Sequence, residues 1–144
     1  QIKPLEGKRC FYCAGSPHFR WRLFLTYAQM RKILKKGRIR AADVFSLRIK
    51  EKNLSGRAVF LELVDAKEKQ LISGKDFRAL VGPNRLKSTL FEIKPKKHGI
   101  LFVGKGWGHG VGLCQWGALG MAKKGSSAEE ILAFYYPESK IEKK

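Results

Sequence analysis

The sequence predicts an α+β fold, a mostly antiparallel β-sheet with short helices packed on it and two helices at the C-terminus. Three observations point there. Several stretches alternate apolar and polar residues with the period of half-buried strands, as in Trp21 to Leu25 and Arg57 to Val64. Between them lie short stretches of helical spacing bounded by cap residues. Finally, 144 residues that are 44% hydrophobic, with nine Phe, four Tyr and three Trp, suffice for a packed core and exclude a disordered chain.

In chain order, residues 1–18 read as irregular, broken by Pro4, Gly7, Gly15 and Pro17. Trp21 to Leu25 is the first strand. Thr26 then caps a helix from Tyr27 to about Lys36, whose Tyr27, Met30, Ile33 and Leu34 share a face and which Gly37 stops. Asp43 to Lys50 and Arg57 to Val64 alternate on either side of the turn Asn53-Leu54-Ser55-Gly56, which predicts an antiparallel hairpin with Val59, Leu61 and Leu63 on one side. Gln70 to Ile72 adds a short strand, and Ser73 caps a helix over Lys75 to Val81 that ends at Gly82-Pro83. Leu86 to Ile93 and Ile100 to Val103 read as strands joined by a basic loop, Lys94 to Gly99. Gln115 to Lys124 reads as a helix closed by Gly125. A capping box at Ser126-Ser127-Ala128-Glu129 opens a last helix through Tyr136, and residues 138–144 form a basic tail. With neither internal repeat nor low-complexity stretch, residues 1–144 read as one domain or domain fragment.

Thirty Lys and Arg against twelve Asp and Glu give a net charge of +18, beyond what solubility requires. Such a surface attracts nucleic acid, anionic lipid or an acidic wall polymer, through either a dedicated anion-binding face or a generally basic one. The basic residues are spread along the chain and form no recognised nucleic-acid motif, so nucleic acid is not an expected partner. No apolar run is long enough to span a membrane, which excludes an integral membrane segment within this sequence. The first residue is Gln1 and no signal peptide precedes it, so the chain reads as a mature product, a processed fragment or a segment chosen for expression.

The densest functional signal is Gly104 to Ala118, Gly-Lys-Gly-Trp-Gly-His-Gly-Val-Gly-Leu-Cys-Gln-Trp-Gly-Ala. Glycine is costly to order and offers nothing to pack, so Gly106, Gly108, Gly110 and Gly112 imply a loop that needs unusual backbone or close approach. The residues between them stack, hydrogen-bond or titrate. Trp107 and Trp116 can stack on the apolar face of a pyranose or fill the core. His109 can act as general acid or base or hold a loop, and Gln115 can hydrogen-bond a sugar or cap a helix. His18, in Ser16-Pro17-His18-Phe19-Arg20-Trp21, can reach the site or pin its own loop. Cys10 and Cys13 form a C-x-x-C without a second such pair, compatible with half a zinc site, a redox pair or a local disulfide. No two carboxylates make an evident pair for glycosidic chemistry, and no Ser-His-Asp, H-E-x-x-H, P-loop or dinucleotide signature is present.

Phe102 to Pro137, with the glycine run, Gly120-Met121-Ala122, Glu130-Ile131-Leu132 and Tyr135-Tyr136-Pro137, closely resembles the C-terminal part of the stage II sporulation protein D family, also called the amidase-enhancer family. Cys13 with Ser16 to Trp21, Leu71 to Arg78 and Leu86 to Phe91 fit it in the same order, so the resemblance runs from about Cys10 onward. It implies an exported cell-envelope protein, and a lytic transglycosylase that cleaves peptidoglycan glycan strands to 1,6-anhydro-muramyl ends beside a cell-wall amidase. The resemblance also implies a catalytic Glu in an upstream helical segment that does not occur in this sequence, where Glu6 has quite different surroundings. The expectation is therefore the C-terminal portion of a transglycosylase with no catalytic residue of its own, inactive alone. In it Trp107, His109, Gln115, Trp116 and His18 line or support the glycan cleft. The alternative is a non-catalytic peptidoglycan-binding or amidase-stimulating module. No cofactor is required by either. Some members of the family hold zinc through Cys and His, so the resemblance also allows zinc on Cys10 and Cys13.

Overall fold

A computed structural model describes residues 9–42, 45–66 and 68–142. They fall into two compact units. The larger is Arg20–Gly108, and the smaller combines the described residues of Gln1–Phe19 and His109–Lys144.

Among its described residues the larger unit holds six strands and two helices. β1 (Trp21–Thr26), β6 (Gly99–Gly104) and β5 (Phe91–Lys96) form one antiparallel sheet in the order β1-β6-β5. Its register sets Leu25 opposite Ile100, and both Leu23 and Ile93 opposite Phe102. β2 (Ser46–Lys52), β3 (Ala58–Val64) and β4 (Lys69–Ser73) form a second antiparallel sheet with β3 in the middle. Arg48 lies directly opposite Glu62 in the β2–β3 ladder and forms an ion pair with it. That cross-strand partner is how a carboxylate only 7% exposed is tolerated.

Both helices of this unit begin where side chains satisfy the first free N–H groups. At α1 (Tyr27–Lys36), Thr26 Oγ1 accepts from Gln29 N at 3.1 Å and Gln29 Oε1 accepts from Thr26 N at 3.0 Å. Ser73 Oγ accepts from Asp76 N at the start of α2 (Gly74–Val81). Their apolar stripes, Met30, Ile33 and Leu34 on α1 and Phe77 and Val81 on α2, join Leu25, Leu61, Leu63, Leu86 and Phe102 in the core. Phe102 is the centre of its aromatic part, with ring centroids 5.8 Å from Phe77 and 5.5 Å from Phe91.

The smaller unit carries α3 (Gln115–Ala122) and α4 (Ala128–Tyr135). Met121, Ile131 and Tyr135 are the buried hydrophobic residues among those described in it, with Cys10, Tyr12, Leu113, Cys114 and Phe134 packed against them. Gly117 is required here by close approach. A Cβ would lie 2.6 Å from Cys10 Sγ and nearer still to Tyr135 Oη.

The α+β architecture and the β2–β3 hairpin agree with expectation, and five boundaries are corrected. Leu86 to Ile93 is not one strand, because β5 starts at Phe91. Ser88 spends its hydroxyl on neighbouring backbone, which competes with ladder pairing. Lys94 to Gly99 is not a loop either, because β5 runs through Lys96 and only Lys97 and His98 turn into β6. Pro95 is compatible with a strand because β5 is a sheet edge, where a missing N–H breaks no ladder. The last capping box sits one residue later, with Ser127 as cap and Glu130 as its reciprocal partner, and α3 ends at Ala122. The predicted second strand starts at Ser46, and Asp43 and Val44 lie outside the described residues.

Candidate functional site

The glycine-rich run is divided between the units. Gly104 to Gly108 ends the larger one, and His109 to Ala118 belongs to the smaller.

In the larger unit the run continues from β6 and is tied down almost residue by residue. Lys105 N donates to Leu90 O at 2.9 Å, and Lys105 O accepts from Ser88 Oγ at 2.7 Å. Gly106 O accepts from Trp21 Nε1 at 3.0 Å. Gly108 N donates to Lys87 O at 2.9 Å, and Gly108 O accepts from Arg57 Nη1 at 3.4 Å. Gly104 allows the second of these ties. The Trp21 indole lies flat against it, and a Cβ at 104 would sit 2.6 Å from Cη2 and closer to two other ring atoms. Ser88 is wholly buried and Trp21 nearly so, yet Trp107, on the loop they hold, is 52% exposed. A large aromatic ring is thus presented to solvent from a fixed backbone. Arg20, Trp21, Arg22, Val103, Gly104 and Lys105 line an open groove of about 480 Å³. A second basic groove, of about 540 Å³, is lined by Arg31, Lys35, Arg38 and Arg40 with Ile39 and Ala41.

Two arginines converge on the same stretch. Arg78 comes from the inward face of α2, is buried, and donates from Nε to Leu86 O at 3.0 Å. Arg57 precedes β3 and reaches Gly108 O. Burial, and then the neighbouring Arg78 charge, holds the Arg57 guanidinium below its usual basicity. Sequence reasoning missed Arg57, Arg78 and Ser88. Only Arg78 left a signal, as a charge among the inward positions Gly74, Phe77 and Val81 of an amphipathic helix.

In the smaller unit His109, Gln115 and Trp116 are exposed, Trp116 by 41%, and His18 is half-buried in the turn whose Ser16 Oγ accepts from its N–H. Helix α3 is capped by the Cys114 thiol, which accepts from Gly117 N at 3.4 Å, so capping does not fall to Gln115. Tyr136 Oη accepts from Leu113 N at 3.1 Å and fixes the end of the run.

Cys10, Cys13 and Cys114 are free thiols gathered near Tyr135, whose Oη lies 3.2 Å from Cys10 Sγ. Burial, reinforced by hydrogen bonds and like charge from Cys10 and Cys114, pushes the Cys13 thiol up to about 11. Burial, then Cys10, raises Tyr135 as well. The three sulfurs thus lie close enough to raise one another's hold on a proton. Among the described residues no group of three or more His, Cys, Asp or Glu is placed to hold a metal ion.

Several acids have structural partners. Glu62 pairs with Arg48, Asp76 accepts from the Ser73 hydroxyl, Glu130 accepts from Ser127 N in the capping box of α4, and Glu92 pairs with Lys94. Among the described residues Glu62 is the one buried acid. The Arg48 hydrogen bond is the main reason its carboxyl lies below the ordinary value of 4.5, opposite to what a general acid needs. No helix among the described residues is long and apolar enough to cross a membrane.

Comparison with known proteins gives relatives over parts of this geometry. The chain is 37% identical over 116 residues to an uncharacterized protein of Brachyspira hyodysenteriae (strain ATCC 49526 / WA1), covering 81% of this chain and 30% of that protein. It is 40% identical over 62 residues to the amidase enhancer of Bacillus subtilis (strain 168), covering 43% and 9%. It is 39% identical over 70 residues to stage II sporulation protein D of the same organism, covering 49% and 20%. The chain thus spans less than a third of the length of each of these relatives. The profile described as Domain of unknown function (DUF8618) matches residues 4–112, which takes in the whole larger unit and stops inside the glycine run. By that match the chain belongs to the DUF8618 family, and by its relatives it is akin to stage II sporulation protein D and amidase enhancer.

Proposed function

We propose that this chain is a glycan-binding portion of a cell-wall protein that cleaves peptidoglycan strands by lytic transglycosylation, with the general acid supplied from outside these residues. The observation that carries the reading is Trp107, a half-exposed indole on a loop whose backbone is pinned by Trp21, Ser88, Lys87 and Arg57. An aromatic face held in place before the ligand arrives loses little entropy on binding a sugar ring. The basic groove lined by Arg20, Arg22 and Lys105 suits an acidic wall polymer. Kinship with stage II sporulation protein D and amidase enhancer supports a role in the envelope, as an exported protein working beside an amidase. His109, Gln115, Trp116 and His18 contribute further glycan contacts.

The structural partnerships of the acids favour binding over bond cleavage within this chain, which is the ground for a second reading as a non-catalytic wall-binding or amidase-stimulating module. Retention on purified peptidoglycan tests the shared part. Trp107→Ala is expected to weaken it about tenfold, the worth of one stacked ring. The loss persists at high salt, where charge attraction is screened. Equal retention of variant and parent refutes the role of Trp107, and no retention of the parent at low salt refutes both readings. Joining the chain to an upstream segment bearing a Glu and assaying stripped glycan for anhydro-muramyl ends separates them.

A further inference from the structure

The end of α1 gathers more charge than its folding requires. Arg31, Lys32, Lys35, Lys36, Arg38 and Arg40 fall within ten residues, and the sequence has no Asp or Glu from Gly7 to Ala42. Lys35 and Lys36 suit the negative end of the helix dipole. Arg38 and Arg40 lie beyond the helix, and Arg31 with Lys35 sets like charges one turn apart, which is unfavourable.

Arg38 holds a position poorly suited to it. Arg38 N donates to Lys35 O at 3.0 Å and Ile39 N to Leu34 O at 3.0 Å, the two bonds of a Schellman ending, whose left-handed residue is usually glycine. Here that residue is Arg38, at a φ of +58°. The glycine stands one place earlier, where a Cβ would lie 2.5 Å from Leu80 Cδ1. Backbone strain of this kind clusters at ligand clamps. Arg31, Lys35, Arg38 and Arg40 line one open groove of about 540 Å³, and its apolar lining, Ile39 and Ala41, packs against the core. The neighbouring acids meet other donors. Asp65 accepts from Ala42 N and Glu68 N, and Glu68 accepts from Gln70 Nε2. Among the described residues no carboxylate pairs with Lys35, Arg38 or Arg40.

We propose that this groove binds a polymer of small polyols joined by phosphodiesters, with Arg38 as a principal contact. Its cations come from the helix, from the helix cap and from the segment after it. They suit a tetrahedral phosphate, whose two unbridged oxygens accept from different directions, whereas one guanidinium fork fills a carboxylate edge. A polymer adds the release of counter-ions along its length. No aromatic side chain lines the groove, so the bases of a single-stranded nucleic acid find nothing there to stack on. None of the exposed large hydrophobic residues lines it either, so it offers no anchor to a bilayer. No residue of the Trp107 loop takes part, and binding here does not depend on the glycan reading.

The test titrates a short poly(glycerol phosphate) into the full chain over a range of salt, beside polyglutamate of equal charge. The phosphate polymer is expected to bind about tenfold tighter than polyglutamate. Arg38→Gly is expected to weaken it about tenfold, the worth of a charge-assisted hydrogen bond, and to melt no lower than the parent because glycine relaxes the cap. The slope of log affinity against log salt becomes shallower by about 0.7, one phosphate contact. Lys140→Gly removes the same charge from the exposed tail and loses far less. Arg40→Gln makes the same test outside the strained cap, since the main-chain carbonyl that accepts from Gln70 Nε2 is untouched, and it too is expected to weaken binding. No binding by the parent at low salt overturns the proposal, as does equal affinity for polyglutamate. Equal losses in Arg38→Gly and Lys140→Gly, or unchanged binding by Arg40→Gln, also overturn it. Arg38-dependent binding that is tighter to phosphatidylglycerol vesicles or to a single-stranded oligonucleotide than to poly(glycerol phosphate) makes the groove a membrane or nucleic-acid site and overturns it as well.

Discussion

Replacing Gly104 by alanine probes the Trp107 platform from behind. The new methyl lies 2.6 Å from Trp21 Cη2 and closer to Cζ2 and Cε2, so the indole must move. Trp21 is 6% exposed, packs edge-on against Phe91 at a centroid distance of 6.3 Å and donates to Gly106 O at 3.0 Å. Overpacking of this kind costs about 1–3 kcal/mol. Breaking the indole hydrogen bond adds about 1 kcal/mol, for a total of about 2–4 kcal/mol. At roughly 2–4 °C per kcal/mol for a chain of this size, Tm falls by about 5–15 °C. Gly106→Ala is the control. Its φ of +71° strains an L-residue, but no atom lies within 4 Å of the new methyl, so the cost is about 1–2 kcal/mol and Trp21 stays buried. Thermal melts together with tryptophan quenching by acrylamide separate the two variants. A Gly104→Ala protein that melts within 2 °C of the parent with unchanged quenching, about the shift of a cost under 1 kcal/mol, would refute the reasoning.

Three further outcomes are expected. Ser88→Ala removes the donor to Lys105 O in a fully buried position and costs about 1–3 kcal/mol in urea denaturation, and a change below about 0.5 kcal/mol contradicts the assigned anchor. With Cys13 raised to about 11 from 9.0, the folded chain holds about a hundredfold less Cys13 thiolate at pH 8 than the unfolded one. Alkylation of that residue, followed by peptide mass spectrometry, slows accordingly, and equal rates in the two states exclude the buried thiol cluster. The tighter proton also makes stability complete below pH 9.0 and diminishing as pH rises toward about 11. At the acid end the sign reverses for Glu62. Its carboxyl is lowered from 4.5, so its contribution is present above that pH and fades as pH falls through the folded value. Glu62→Gln should flatten the acid limb of a stability profile, and an unchanged limb assigns acid unfolding to other groups.

What could be read from sequence was local. Helix α1 was legible from Thr26 to Gly37 because cap, apolar stripe and stop all lie within one stretch, and nothing in the fold opposes them. The same holds for the turn at Asn53, whose Oδ1 accepts from Ser55 N and Arg57 N. Ser88 was opaque because its decisive partner is 17 residues away. The strand through Pro95 was not legible because proline breaks a central strand but not an edge, and strand order is not a local property. Ser126 and Ser127 each precede a glutamate by three residues, and Ile131 and Tyr135 settle the register by being buried together. At the site Trp107 was visible by type, whereas Arg57 and Arg78 were hidden among thirty basic residues until α2 and the turn before β3 brought them to one stretch.

The outer half of β5 has a consequence for how this protein behaves in company. A sheet edge is a template on which a second copy can lay down a strand. Here Lys94, Pro95 and Lys96 are all exposed on that edge, followed by Lys97 in the turn. A neighbouring copy would meet a gap in the row of donors and would bring its own lysines against these. Local concentration is the circumstance in which open edges polymerise, and a net charge of +18 already sets copies of this chain against one another. The exposed lysines and the proline of β5 disfavour such pairing even where copies are brought close together.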